Sequence, residues 1–146
     1  MDSKRISQAG RNGIFPPRGT SRINFRKYYQ NECKRNCHTS ATRRTATLLR
    51  DLLGNQAAVY TQDPIALDDN SEPEPDITLV RIDPFDYATH HPTPSEVYLI
   101  IEVADSSLAY DREIKAKAYA RSGIADYWVL NVNDRQLHVF REPAVD

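Results

Sequence analysis

Val97-Tyr-Leu-Ile-Ile-Glu-Val-Ala104 decides the fold of this chain. Seven of the eight residues are apolar, a run that predicts a strand covered on both faces instead of one alternating between core and water. Glu102 interrupts the run. A buried carboxylate without a partner either protonates or meets a cation, because its desolvation is otherwise uncompensated. The glutamate is therefore a candidate site residue by its position alone.

Working upstream, Glu72-Pro-Glu-Pro-Asp76 leads into Ile77-Thr-Leu-Val80, which places Asp76 at the start of a second strand. Downstream, a helical stretch near Asp111 brings Lys115 and Lys117. Two strand-borne carboxylates and a lysine suit metal-assisted phosphodiester hydrolysis. Mg²⁺ takes oxygen ligands and keeps waters for the attack, while a lysine stabilises the charge that develops on phosphate. The segment between Val80 and Val97 is long enough for the two strands to pair antiparallel, so that the acids converge on one sheet edge. The plainer reading of the same residues is a partly buried Glu102–Lys115 ion pair, with Asp76 capping a turn.

The flanking pattern completes an α/β chain. Ala41, Thr45, Leu48, Leu49, Leu52 and Leu53 fall at helical spacing, and Gly54 supplies the stop. Ala57–Thr61 reads as a short strand that Ile65-Ala-Leu67 continues beyond Pro64. Ser106–Ser122 reads as a helix ended by Gly123, with Ile114 and Ala118 on its buried stripe and Asp105 and Asp111 capping and starting it. Asp126–Val132 and Gln136–Phe140 form a hairpin around Asn133-Asp134, with Tyr127 and Trp128 in the core. The order is helix, three strands, helix, two strands: a mixed β-sheet flanked by α-helices.

Composition bounds the rest. At 146 residues and 40% apolar content the chain suits one domain with a modest core. No apolar stretch approaches the roughly 18 residues that span a bilayer, so no membrane partner is expected. Two cysteines make no disulfide framework, which points to a reducing cytoplasm. Residues 1–36 hold nine Lys/Arg against two acids, whereas residues 37–146 hold ten against eighteen. The first segment reads as a basic disordered tail that attracts nucleic acid, and residues 37–146 as the acidic folded domain.

Five ordered motifs carry a resemblance. Glu72-Pro-Glu-Pro-Asp76, Ile101-Glu-Val-Ala-Asp-Ser-Ser-Leu108, Tyr110-Asp-Arg-Glu-Ile-Lys115, Tyr119-Ala-Arg-Ser-Gly-Ile124 and Asp126-Tyr-Trp-Val-Leu-Asn131 together resemble the Uma2 family. These are restriction-endonuclease-like proteins with the PD-(D/E)XK nuclease fold. The likeness extends from about His38 to Pro143 and includes Leu53-Gly-Asn-Gln56 and Gln62-Asp-Pro-Ile65. It implies an Mg²⁺-dependent (or Mn²⁺-dependent) DNA endonuclease whose first acid is Asp76 and second Glu102. Ala104 stands where the motif has its lysine, and the resemblance implies that Lys115 on the following helix replaces it. Asp76 and Glu102 then hold the metal, the Val103 carbonyl adds a ligand, and Lys115 stabilises the phosphate. Relatives of this kind open with a Glu-Leu-Ile-(Asp/Glu)-Gly-Glu type stretch and continue past Asp146, so the chain is expected to be altered at its start and shortened at its end. The alternatives are a catalytically inactive remnant and a nucleic-acid-binding or regulatory protein on the same fold. The oligomeric state is not readable, and a homodimer stays open.

Other residues carry weaker signals. Cys33-x3-Cys37-His38 offers three soft ligands but no fourth at a zinc-finger spacing, so the thiols read as unliganded. His38 matches a family position, yet reads most simply as a helix-start histidine. His90-His91 reads as solvated loop, and Tyr119, one turn after Lys115, is placed to orient it.

Overall fold

In the computed structural model, which describes residues 37–143, the chain runs α1 (Cys37–Leu53), β1 (Ala58–Thr61), β2 (Ile77–Val80), β3 (Val97–Ala104), α2, β4 (Asp126–Asn131) and β5 (Gln136–Arg141). Helix α2 is built from Leu108–Tyr110, a π-helical turn Asp111–Lys115, and Ala116–Arg121. The expected tail over residues 1–36 lies outside the described residues.

The strands lie side by side in chain order, β1-β2-β3-β4-β5. Neighbours pair antiparallel except β3 and β4, which are parallel. Parallel neighbours need a crossover connection, and α2 provides it. The central strand is β3, buried at all eight positions. Six of its side chains, Val97 to Ile101 and Val103, are large and apolar. Full burial of such groups stabilises by roughly 1.5–3 kcal/mol each.

Strand periodicity sorts β3 between two cores. Leu99, Ile101 and Val103 pack with Trp128 and Leu130 against Ala41, Ala46, Leu49 and Leu53 of α1. Ile100 and Ala104 face the other way and pack with Tyr127, Val129, Ile124 and Tyr119 of α2. Glu102 shares the parity of Ile100 and Ala104, so its side chain rises on the α2 face.

Three local expectations change. Ile65 is buried, but residues 65–67 form no strand; their amides bond the loop carbonyls of Pro73, Pro92 and Ser71. Helix α2 begins at Leu108, not Ser106, with Ser107 and not Asp105 at the cap position, and Asp111 lies one turn inside instead of starting it. Ile114 and Ala118 are exposed; the inward stripe is Asp111, Lys115 and Tyr119. The physical reason is the π turn. Its i→i+5 bonds take more residues per turn than the 3.6 of an α-helix, so residues four apart align where a 100° wheel rotates them away. The helix then closes on Gly123 at φ +83°, with the Ile124 amide bonded to the Tyr119 carbonyl and the Gly123 amide to the Ala120 carbonyl. This is a Schellman arrangement, and its apolar pair, Tyr119 and Ile124, is buried in the same core.

The loop between β2 and β3 is tied down at the far end of the sheet. Pro94–Glu96 forms a single 3₁₀ turn capped reciprocally by Thr93 and Glu96. The β2–β3 register slips between Leu79 and Val80, so the irregularity lies at this end.

Candidate active site

The site lies at the opposite end, where β2 begins and β3 finishes. Ile77 pairs with Ile101, and continuing that register sets Asp76 across from Glu102 and Pro75 across from Val103. The two acids are thus cross-strand neighbours, although 26 residues separate them in sequence. The Asp76 amide donates to Glu102 Oε2 at 3.4 Å, and the Val103 amide donates to Asp76 Oδ2 at 2.8 Å. His38, in the first turn of α1, reaches the same Oδ2 with Nε2 at 3.1 Å. Both hydrogen bonds to the Asp76 carboxylate therefore fall on one oxygen.

Glu102 is only 2% exposed. Tyr119 donates its hydroxyl to Oε1 at 2.9 Å, and Lys115 Nζ lies 3.1 Å from the same oxygen. Burial, reinforced by the nearby Asp76 charge, pushes the Glu102 carboxyl up to about 7, against the pull of Lys115 and Tyr119. Burial alone would lower the Lys115 ammonium, but Glu102 and Asp111 outweigh it and raise it. Burial likewise drives the Tyr119 and Tyr127 hydroxyls upward, with Glu102 adding to both, so both phenols stay protonated. The site is a pair of facing carboxylates with one lysine against them.

The family model for Uma2, described as "Putative restriction endonuclease", matches residues 30–146. The chain belongs to the Uma2 family. No curated protein matches the chain. The match covers every described element of the Uma2 chain and begins ahead of His38, where the motif resemblance started. Its five-stranded mixed sheet between two helices is the restriction-endonuclease-like α/β core.

In this Uma2 chain the residues singled out from sequence are linked in one chain of contacts: Lys115 to Glu102, Glu102 to Asp76, and Asp76 to the Val103 amide. Lys117 is exposed and takes no part. Three residues take other roles than the sequence suggested. His38 is no bystander at a helix start but touches Asp76. Tyr119 orients Glu102 more directly than Lys115. Asp111, 2% exposed, lies 3.2 Å from Lys115 Nζ. The spacing Asp111, Lys115, Tyr119 was the available signal, because three polar side chains four apart form one stripe. Cys33 of the Cys-Cys-His run lies outside the described residues, while His38 is engaged with Asp76. His90 is not merely solvated; its Nε2 lies 3.2 Å from Glu96 Oε2. Among the described residues, no group of three or more His, Cys, Asp and Glu is arranged to hold a metal by itself.

Proposed function

We propose that this chain is an Mg²⁺-dependent endonuclease that hydrolyses phosphodiester bonds in DNA, with Mn²⁺ able to substitute. The observation that carries this reading is the facing pair, Asp76 and Glu102, one of them almost fully buried with only a 3.4 Å amide contact on its Oε2. The donor set suits a hard cation that keeps several waters, because it consists of two carboxylates and a strand carbonyl. Asp76 accepts its hydrogen bonds on Oδ2, which leaves Oδ1 for a cation. The Val103 carbonyl supports the same set. A strand residue turns its N–H and C=O to the same neighbour. The Val103 amide points at Asp76, so its carbonyl faces the β2 edge as well. The residue opposite is Pro75, which has no N–H to occupy that carbonyl.

A divalent cation held by Asp76 and Glu102 would supply activation of water and offset of the phosphate's negative charge. The chain's own residues do the remainder. Asp76 and Glu102 hold the cation at the sheet edge. His38 and the Val103 amide fix the Asp76 carboxylate in orientation. Tyr119 fixes Glu102, and Lys115 presents an ammonium to the phosphate oxygen on which charge develops. The attacking water gives up a proton to solvent as its oxygen bonds to phosphorus, the ester P–O bond breaks, and the departing oxygen takes up a proton from solvent.

One observation favours a second reading, a catalytically inactive member of the family. Lys115 is already paired with Glu102 and Asp111, so both buried carboxylates have a cationic partner without a metal. Supercoiled plasmid incubated with the purified chain and Mg²⁺ separates the two. Nicking that is abolished by chelation and in Glu102→Gln supports the endonuclease. Intact plasmid, together with no Mg²⁺ uptake in calorimetry, supports the inactive network.

A further inference from the structure

Asp111 is a carboxylate with 2% exposure that the hydrolysis above does not use. It is held from three sides. Ser107 Oγ donates to its Oδ2 at 2.6 Å, Lys115 Nζ lies 3.2 Å from its Oδ1, and the Tyr127 hydroxyl donates to its backbone carbonyl at 2.8 Å. The π turn sets Asp111 and Lys115 on the inward stripe together. Lys115 Nζ is in turn 3.1 Å from Glu102 Oε1. One ammonium is therefore shared by two buried carboxylates. One faces Asp76, while the other is anchored by Ser107 on a backbone that Tyr127 holds.

This sharing matters once Glu102 binds something else. A divalent cation at Asp76 and Glu102 competes with Lys115 for the glutamate. If Glu102 were the ammonium's sole carboxylate partner, the lysine would either resist the cation or be expelled towards solvent. Asp111 removes that choice. An ammonium has three donors, so Lys115 keeps Asp111 with one and has others to give when Glu102 is taken.

We propose that Asp111 is a positioning residue that retains Lys115 at the site while a divalent cation displaces it from Glu102. The lysine then passes from the glutamate to a substrate phosphate without leaving the site. This rests on the metal-dependent reading above.

The test is Mg²⁺ titration of the full chain by calorimetry, with single-turnover nicking of plasmid alongside, for the unmodified chain, Asp111→Asn, Lys115→Ala and the double variant. In Asp111→Asn, Lys115 clings to Glu102, so Mg²⁺ affinity is expected to fall roughly 10-fold and cleavage to slow by a similar factor. In Lys115→Ala the competitor is gone and Mg²⁺ binds at least as tightly as in the unmodified chain. The double variant is expected to bind Mg²⁺ like Lys115→Ala. That pattern separates positioning from a bulk charge effect, because loss of a negative charge alone weakens Mg²⁺ binding equally in both backgrounds. Equal weakening, or no weakening in either background, overturns the proposal. Ser107→Ala, which removes only the anchoring hydroxyl, gives the same comparison in milder form should Asp111→Asn fold poorly. An unmodified chain that takes up no Mg²⁺ and nicks nothing defeats the metal reading itself, and this inference with it. An unmodified chain that is active while the Asp111 pattern fails defeats this inference alone.

Discussion

The two ends of β3 each bury a glutamate, and the chain treats them in opposite ways. At the end where the strand begins, Glu96 accepts the Thr93 amide at 3.0 Å, the Thr93 hydroxyl at 3.1 Å, His90 Nε2 at 3.2 Å and an Arg81 guanidinium nitrogen at 2.9 Å. Burial would raise its carboxyl, but these donors outweigh it and hold Glu96 below the ordinary carboxylate value. At the other end, Glu102 receives one hydroxyl, one lysine and a long amide contact, and it faces a second carboxylate. Burial prevails there, and the carboxyl rises to about 7. Buried charge alone therefore does not mark a site. A glutamate supplied with a full set of donors is part of the scaffold, whereas one left short of donors beside another acid suits an incoming cation.

The largest effect should come from exchanging the charge at each end. Glu102→Gln is expected to reduce Mg²⁺-dependent plasmid nicking by on the order of 10²-fold or more, since a metal ligand is worth several kcal/mol in the transition state. Glu96→Gln is expected to keep most of the nicking at equal folded concentration. If both variants lose activity alike, the two ends are not functionally distinct. The lysines sharpen the same contrast. Lys115→Ala should cost roughly 10²–10³-fold in single-turnover nicking, as for loss of a donor to a developing oxyanion. Lys117→Ala should retain most activity, and comparable losses in the two would remove Lys115 from its role.

Stability against pH gives a smaller effect of opposite sign at the two ends. A folded-state carboxyl raised to about 7 favours the protonated chain. Its contribution is therefore fully present below the unfolded value and is lost as pH rises through about 7, at a cost on the order of 3 kcal/mol. Urea unfolding without metal should show Glu102→Gln gaining on the unmodified chain from pH 5 to pH 8, and Mg²⁺ should narrow the gap by stabilising only the unmodified chain. Glu96, with its carboxyl lowered, contributes stability above the unfolded value that disappears as pH falls. Glu96→Gln should therefore destabilise by about 1–3 kcal/mol at pH 7 and by less in acid. Parallel pH trends in the two variants would contradict the comparison. The smallest effect belongs to His90→Ala, expected to cost about 0.5–1.5 kcal/mol at most because Glu96 keeps its other donors.

The sheet and the acid at its centre were legible because a continuous apolar run has one good explanation, and Glu102 stands out within it. Asp76 was legible as the polar residue before a short apolar strand, and motif resemblance singled out Lys115. Other residues were hidden for particular reasons. His38 meets Asp76 through a contact spanning 38 residues, which no local pattern announces. Asp111 looked like a helix-start acid because acids favour the first turn of a helix, and a π turn has no sequence signature as plain as a proline or a glycine. Glu96 drew no attention, since Pro-Ser-Glu reads as loop and its donors come from positions 81, 90 and 93. What sequence conveys poorly here is the number of donors a buried carboxylate will find.

The irregularity between Leu79 and Val80 has a bearing on how this chain tolerates change. A strand slipped by one residue turns every side chain to the opposite face. For β3 that would swing Glu102 beneath α1 and put Ile101 or Val103 beside Asp76. The slack in the β2–β3 pairing lies beside the 81–96 loop, at the far end from the acids. An inserted or deleted loop residue can be taken up there, like play at the free end of a zip, while Ile77 and Ile101 stay locked. The loop can thus drift in length over evolutionary time without the acids losing sight of each other.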